Sequence, residues 1–366
     1  MKSRTISSYA SELRPLLAKT AFLPARSRLL WLPAHLVAIT GCMTAIAGGW
    51  LGWPLALLLS LVIGASFAGM TFVAHEALHG ALVRGKKLRR LIGWLGFVPF
   101  AVSPRLWEAW HNRTHHGNTN RAGVDPDAYP TLHEYRESPA VRRVTDWFSP
   151  GRSRLSGALS FLIGFSVQSG HVLVKARKSG MLSAAEHRKA WLESGASLAI
   201  WVALAAMLGP MSFLLAFFLP LLVANAIVMS FILTNHSLSP HTVVNDPLVN
   251  SLTVTGPRFL EWLTLGFGYH VEHHLFPAMS GRHALSVRRL LEHRWPERYQ
   301  SLPYFTALSA LHRSPRVYQN ATTLLDPRTG RITPTLGPTA LPAQPQPTTA
   351  GSNALPAAQL VSEASG

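Results

Sequence analysis

The chain has a single cysteine, Cys42, among 366 residues, and it lies inside an apolar run. A disulfide framework and a cysteine-ligated zinc site are both excluded, so any metal chemistry must come from other side chains. Acidic residues are scarce too: 17 Asp and Glu stand against 34 Lys and Arg, giving a formal charge of +17. Such an excess can serve polyphosphate binding, but its distribution points elsewhere. Residues 35–83 and 191–257 contain no Lys or Arg at all. The 34 basic residues fall into three stretches, with 6 from Lys2 to Arg28, 18 from Arg84 to Lys189 and 10 from Arg258 to Arg331. Membrane topology selection leaves this pattern, because basic residues are retained in cytoplasmic loops. No nucleic-acid partner is expected. A signal peptide is not expected either, since residues 1–30 are basic and broken by Pro15 and Pro24 before the first long apolar stretch.

What the chain has in abundance is apolar sequence, 48% hydrophobic against 14% charged. A hydrocarbon core of about 30 Å takes roughly 20 apolar residues as helix. Runs of that order lie at about 36–53 and 54–74, joined at Trp53-Pro54, and at about 191–208 and 211–234, joined at Gly209-Pro210. Both joints are short and lack basic residues, as tight hairpins on the non-cytoplasmic side do. Leu91–Val102 is too short to cross. Leu155–Val174 is long enough but polar in places, and crossing would put Arg152 and Arg154 opposite Lys175, Arg177 and Lys178, against the positive-inside rule. Both are expected at the interface.

The expected fold is therefore an all-α integral membrane protein, with four transmembrane helices in two hairpins, interfacial helices and a histidine-rich cytoplasmic cap. Its divisions are a cytoplasmic N-terminal segment 1–34, a membrane domain 35–320 and a disordered tail 332–366. The tail is rich in Pro, Ala, Thr, Ser and Gln and has little that could offset its ordering entropy.

Of the 17 histidines, eight form three clusters: His75-Glu-Ala-Leu-His79, His111-Asn-Arg-Thr-His115-His116 and His270-Val-Glu-His273-His274. An i,i+4 pair puts two imidazoles on one helix face, and neutral imidazole is the commonest protein metal ligand. One histidine alone is more often a hydrogen-bonded structural residue. The first cluster also matches the HExxH of zinc proteases, but that reading leaves the other two unexplained. With four spans, all three clusters meet at one membrane boundary, which favours a shared metal site. Glu76, Asp125, Asp127 and Glu272 are candidates to orient ligand rings through their second nitrogen; Asp125-Pro126-Asp127 also reads as an ordinary turn. Trp107 and Trp110 read as interfacial anchors.

These three clusters, with Leu275-Phe276-Pro277 after the last, resemble the membrane-bound fatty-acid desaturases and their relatives, the carotenoid ketolases and hydroxylases and the alkane hydroxylases. The resemblance covers roughly residues 30–300. It implies two iron ions, dioxygen as co-substrate, a long-chain acyl substrate in the membrane, and electrons from outside. It implies His75, His79, His111, His115, His116, His270, His273 and His274 as ligands, with a ninth near the end of the last span. His236 stands there, beside Asn235, a candidate supporting or water-mediated partner; His241 is the rival.

Two departures narrow the expectation. The third cluster begins with His270 where front-end desaturases have Gln, and no cytochrome-b5-like His-Pro-Gly-Gly segment is present. A separate electron donor such as ferredoxin is implied, docking on basic residues such as Arg142 and Arg143. Alternatives are a carotenoid or other long-chain ketolase or hydroxylase, and a non-enzymatic metal-binding membrane protein. The last is disfavoured by spans nearly bare of ionisable residues. A bacterial inner membrane is the expected location, with the histidine cluster and both termini cytoplasmic.

Overall fold

The computed structural model describes residues 3–49 and 51–337. A short amphipathic helix, α1 (Ile6–Leu13), precedes α2 (Trp31–Ala47) and α3 (Trp53–Leu78). Trp53 and Pro54 open α3 rather than forming the joint, which is displaced to the residues after Ala47. Proline suits that place, because the first helical N–H groups have no intrahelical acceptor. Then come α4 (Lys86–Phe97), a π-helical turn α5 (Glu108–His115), and two helices bent by 67°, α6 (Arg154–Leu162) and α7 (Gly164–Lys175).

The run Ala184–His236 is 53 residues long. As one straight helix it would extend about 80 Å, far beyond a hydrocarbon core of about 30 Å. It reverses instead at Gly209, whose φ of 73° and ψ of 168° are open only to glycine. Trp201 and Phe217, eight residues either side, stack at 3.9 Å. The arms 184–208 and 210–236 are α8 and α9.

Arg26–Ala47, Trp53–Leu78 and Ala184–His236 are long and apolar enough to cross a membrane, and the bent α6–α7 pair is a fourth such stretch if taken as one. α3 lies at the centre, with α2, α4 and α9 against it. Its first half exposes Leu55, Leu58 and Leu61, whereas from Ile63 to Leu78 every residue but Ala65 is buried. Gly64 permits the closest approach: a Cβ there would lie 2.6 Å from Val223 Cβ on α9. Asn225, a rare amide within α9, accepts from Ser166 N–H at 3.1 Å and so occupies an orphan donor at the start of α7.

Beyond α9 the chain builds the cap with α10 (His270–Leu275) and α11 (Ala284–Arg294). Five short strands amend the all-α expectation. β1 (Thr253–Thr255) pairs parallel with β2 (Ser301–Pro303), and β3 (Val317–Asn320), β4 (Thr323–Leu325) and β5 (Ile332–Pro334) form an antiparallel sheet. β5 and the bond from Leu336 N–H to Leu238 O correct the start of the expected disordered tail, since residues 332–336 are anchored by backbone hydrogen bonds. Residues 338–366 lie outside the described residues.

The described part of the N-terminal segment, expected at 1–34, packs against the cap. Tyr9 and Leu13 of α1 join Val271, Leu275 and Leu291 in an apolar cluster. The carboxylate of Asp246 accepts from Arg4 N–H at 2.8 Å and from Tyr9 OH at 3.1 Å.

Candidate metal centre

The three histidine clusters and His236 converge from four elements. His75 and His79 close α3; His111, His115 and His116 ride on or just beyond α5; His236 ends α9; His270, His273 and His274 are on α10. Their ligand atoms form two groups in which all lie within 4.8 Å of one another: five from His75, His79, His111, His116 and His273, and four from His115, His236, His270 and His274.

The π-helical turn explains how the second cluster serves both groups. His116 N–H donates to His111 O at 3.0 Å, an i to i−5 bond that widens the turn. His111 and His116 therefore face the same group, with Nε2 atoms 3.2 Å apart, while His115 faces the other. On α10 the i,i+4 pair His270 and His274 shares the four-histidine group, and His273 turns to the five-histidine group. Two ions could thus share each of two histidine clusters.

The donor set fits metal ligation. Nε2 of His111 lies 3.1 Å from Nε2 of His75 as well as 3.2 Å from that of His116, which in turn lies 3.1 Å from Nε2 of His273. In the second group His270 Nε2 lies 2.7 Å from His236 and 3.2 Å from His274. Nitrogens bound at about 2.1 Å to one ion stand about 3.0–3.4 Å apart at right-angled to tetrahedral geometry, close to most of these separations. One imidazole N–H can serve one neighbour, so a nitrogen facing two others is better matched by an ion than by hydrogen bonds alone. Burial and neighbouring imidazoles hold His111, His116, His270 and His274 well below the usual histidine range, and His273 at about 3. They are neutral, the form that binds metal.

His115 differs. Burial opposes its charged form, but the Asp125 and Asp127 carboxylates outweigh it and raise the ring to about 9. Its Nδ1 lies 3.0 Å from Asp125 and 3.3 Å from Asp127. Asp125 is fixed by Asn120 N–H at 2.7 Å, and Asp127 by Trp110 Nε1–H and Gln168 Nε2–H, each at 2.8 Å. Both carboxylates thus hold the His115 ring at Nδ1.

The other two acidic candidates face elsewhere. Glu76 accepts from Arg28 Nη1 and Gly281 N–H, both at 2.7 Å, and Glu272 from Thr253 Oγ1 at 2.6 Å and Tyr299 OH at 2.5 Å. Lying between ligand positions in sequence, their side chains leave the helix on a different side from the rings and tie the clusters to surrounding segments. Trp107 and Trp110 are buried rather than interfacial: Trp107 stacks on His111 at 4.5 Å, and Trp110 supports Asp127.

His241 stacks on Tyr318 at 3.5 Å and belongs to neither group. Asn235 is fully buried, and among the described residues neither its Oδ1 nor its Nδ2 has a hydrogen-bond partner. Sequence reasoning missed Thr119, whose hydroxyl lies 3.2 Å from His274 Nδ1, and Asn250, whose carbonyl lies 3.4 Å from His236 Nδ1. Thr119 stands four residues after His115, but only the fold shows it to be a partner of α10.

A cleft reaches the five-histidine group, lined by Phe72, Thr264, Phe267, Phe276, His75 and His273 among others. Phe267 sits 4.9 Å from both the His75 and His270 rings and so borders both groups.

Apolar helices of membrane-spanning length beneath two all-histidine groups that could hold metal ions define the class, a largely helical protein with a candidate metal centre. The sequence profile described as fatty acid desaturase matches residues 18–306, and the chain belongs to that family. It is 21% identical to a chloroplastic omega-6 fatty acid desaturase of Spinacia oleracea over 260 residues, covering 67% of this chain and 55% of the relative. It is 26% identical to the Delta(5) fatty acid desaturase fat-4 of Caenorhabditis elegans over 260 residues, covering 62% and 55% respectively. The chain thus spans about half the length of the curated relatives it matches.

Proposed function

We propose that the protein is an O2-dependent desaturase that introduces a double bond into a lipid- or thioester-linked fatty acyl chain, with two iron ions held by the five- and four-histidine groups. The observation that carries this reading is the convergence of nine histidines into two adjoining sets, with no thiolate or carboxylate needed to complete them. Bound iron would supply the redox capacity to reduce dioxygen while two hydrogens leave adjacent carbons.

The chain's own residues provide the setting. Asp125 and Asp127 hold the His115 ring through Nδ1 and leave Nε2 for the metal. His236, rather than His241, is the ninth ligand, and the unpaired Asn235 amide beside it supports a water-mediated role. Phe72, Phe267 and Phe276 give the cleft an apolar wall that accepts a hydrocarbon chain and excludes water from the reacting carbons.

The four helical arms α2, α3, α8 and α9 span the bilayer in two hairpins. The histidines and both termini then lie on the cytoplasmic side with the basic loops, and a bacterial inner membrane suits this arrangement. Electrons come from a separate carrier.

Mass spectrometry of total lipids from a bacterial host expressing the chain with a ferredoxin system tests the reading, beside a His115→Ala control. New double bonds in the wild-type sample alone are expected. Hydroxylated or keto products would move the assignment to an oxygenase on the same scaffold, and unchanged lipids would contradict it.

A further inference from the structure

The cleft beside the five-histidine group adjoins a second one. Phe231, Val254, Leu260 and Gly268 are among the residues that line the second, and Thr264 and Tyr269 line both. Phe267 links their walls, with its ring 5.0 Å from that of Phe72 in the first cleft and 6.3 Å from that of Phe231 in the second. The same ring borders both histidine groups. The two clefts thus form one passage, narrowed at Thr264 and Tyr269 and ending at the candidate metal centre.

The outer end of this passage lies level with the apolar helices. Phe231 belongs to the stretch of α9 free of Lys and Arg, about one turn before Asn235 and His236. Tyr304 stacks on Phe231 at 5.0 Å and donates its hydroxyl to Ser230 Oγ at 2.6 Å, so the helix Tyr304–Arg313 starts beside the apolar part of α9. Phe305, the next residue, is 68% exposed. The short helix Arg258–Leu263 has two faces: Leu260 and Glu261 line the second cleft, while Phe259 and Trp262 are 67% and 64% exposed. Large aromatic side chains left open beside a helix of membrane-spanning length suit the bilayer interface, where rings sit at headgroup level against the acyl chains. Arg258, exposed at the start of the same short helix, puts a cation there for a lipid phosphate.

We propose that Phe259, Trp262 and Phe305 seat the second cleft in one leaflet of the bilayer, and that the substrate is the acyl chain of an intact phosphoglyceride, drawn in sideways past Phe231, Thr264 and Phe267 to the five-histidine group. The inference rests on the desaturase reading and deepens it, choosing a lipid-linked chain over a water-borne thioester. Entry from the leaflet keeps the methylenes among apolar groups throughout and leaves the headgroup outside at Arg258. A thioester carrier arrives from water, and its polar part would have to cross the exposed rings of Phe259, Trp262 and Phe305, where it loses hydration without gaining hydrogen bonds.

The test is photolabelling of the full-length, iron-loaded protein in nanodiscs by phosphatidylglycerol whose acyl chain carries a diazirine at mid-chain, with labelled peptides read by mass spectrometry. Labels are expected in residues 254–269 and 276–284, which line the two clefts. Phe259→Ser/Phe305→Ser should lower the yield about tenfold or more, with iron content and thermal midpoint held because both side chains are exposed. Val144→Ser/Trp147→Ser, which removes exposed apolar groups elsewhere on the chain, should label as wild type does. Thr264→Trp, which fills the point shared by the two clefts, should keep labels at 254–261 and lose those at 276–284 while retaining iron. Excess oleoyl-coenzyme A should not compete. Labels absent from both clefts, unchanged labelling in the Phe259/Phe305 pair, or displacement of the lipid by oleoyl-coenzyme A would each overturn the proposal, the last in favour of a thioester. Phosphatidylglycerol that labels both clefts yet gains no double bond under ferredoxin-driven turnover would count against the desaturase reading and not against the entry route.

Discussion

Among the nine converging histidines, His115 is the one whose second nitrogen meets carboxylates in the described structure. His236 and His274 have a carbonyl and a hydroxyl there instead. Asp125→Asn retains a hydrogen-bonding group but removes the charge that favours a donating Nδ1–H, and is expected to weaken metal binding about 10–100-fold, measured by competition with a chelator. Arg28 is a second residue-scale test, because it bridges Glu76 and Leu265 O and so ties the N-terminal segment to the first histidine cluster. Removing one partner of this largely buried pair in Arg28→Ala should cost about 3 kcal/mol, read as a lower thermal midpoint in detergent. Eight of the converging histidines were legible as three clusters from their spacing, although only His75/His79 and His270/His274 are i,i+4 pairs that serve one group. The division of labour among the acids was not, since Glu76 and Asp125 both adjoin ligand positions and only their directions in the fold separate an anchor from a ring orienter.

At the scale of elements, the hairpin between α8 and α9 was legible because Gly209-Pro210 interrupts an otherwise apolar run. Its backbone makes a sharp prediction. A Cβ at Gly209 meets nothing within 4 Å, yet φ is 73° with ψ at 168°. Gly209→Ala should therefore destabilise by about 1–3 kcal/mol through backbone strain alone, again visible as a lower thermal midpoint. Gly195→Ala, at a helical glycine of the same arm that also meets nothing within 4 Å, provides the contrasting control and should not be destabilising. The π-helical turn left no such mark in the sequence. Its widened bond from His116 to His111 depends on what the surrounding elements require of those rings, and periodicity cannot announce it. The first joint was misplaced for a related reason: Trp-Pro reads as a break, but proline is equally at home in the first turn of a helix.

At the scale of the molecule, the absence of Lys and Arg from two long stretches and their concentration elsewhere give the membrane reading before any motif is considered. What composition could not show is that the N-terminal segment is built into the cap through α1, or that residues 332–336 continue as strand. The first depends on partners far off in sequence, such as Asp246 for Arg4, and the second on pairing with β4 together with Leu238, which accepts from Leu336 N–H. Because histidines from α3, α5, α9 and α10 meet at the centre, metal should act as a staple across the whole fold, and chelation should lower the thermal midpoint as loss of any ligand bound only by the native state does. The central claim is that these side chains form two metal sites and not one, or none. It is tested most directly by the iron content of the purified, full-length chain, measured against protein concentration. The account predicts two irons per wild-type chain and a clear loss in His115→Ala and in His79→Ala, which lie in different groups. A wild-type value of one, or iron content unaffected by either substitution, would contradict it.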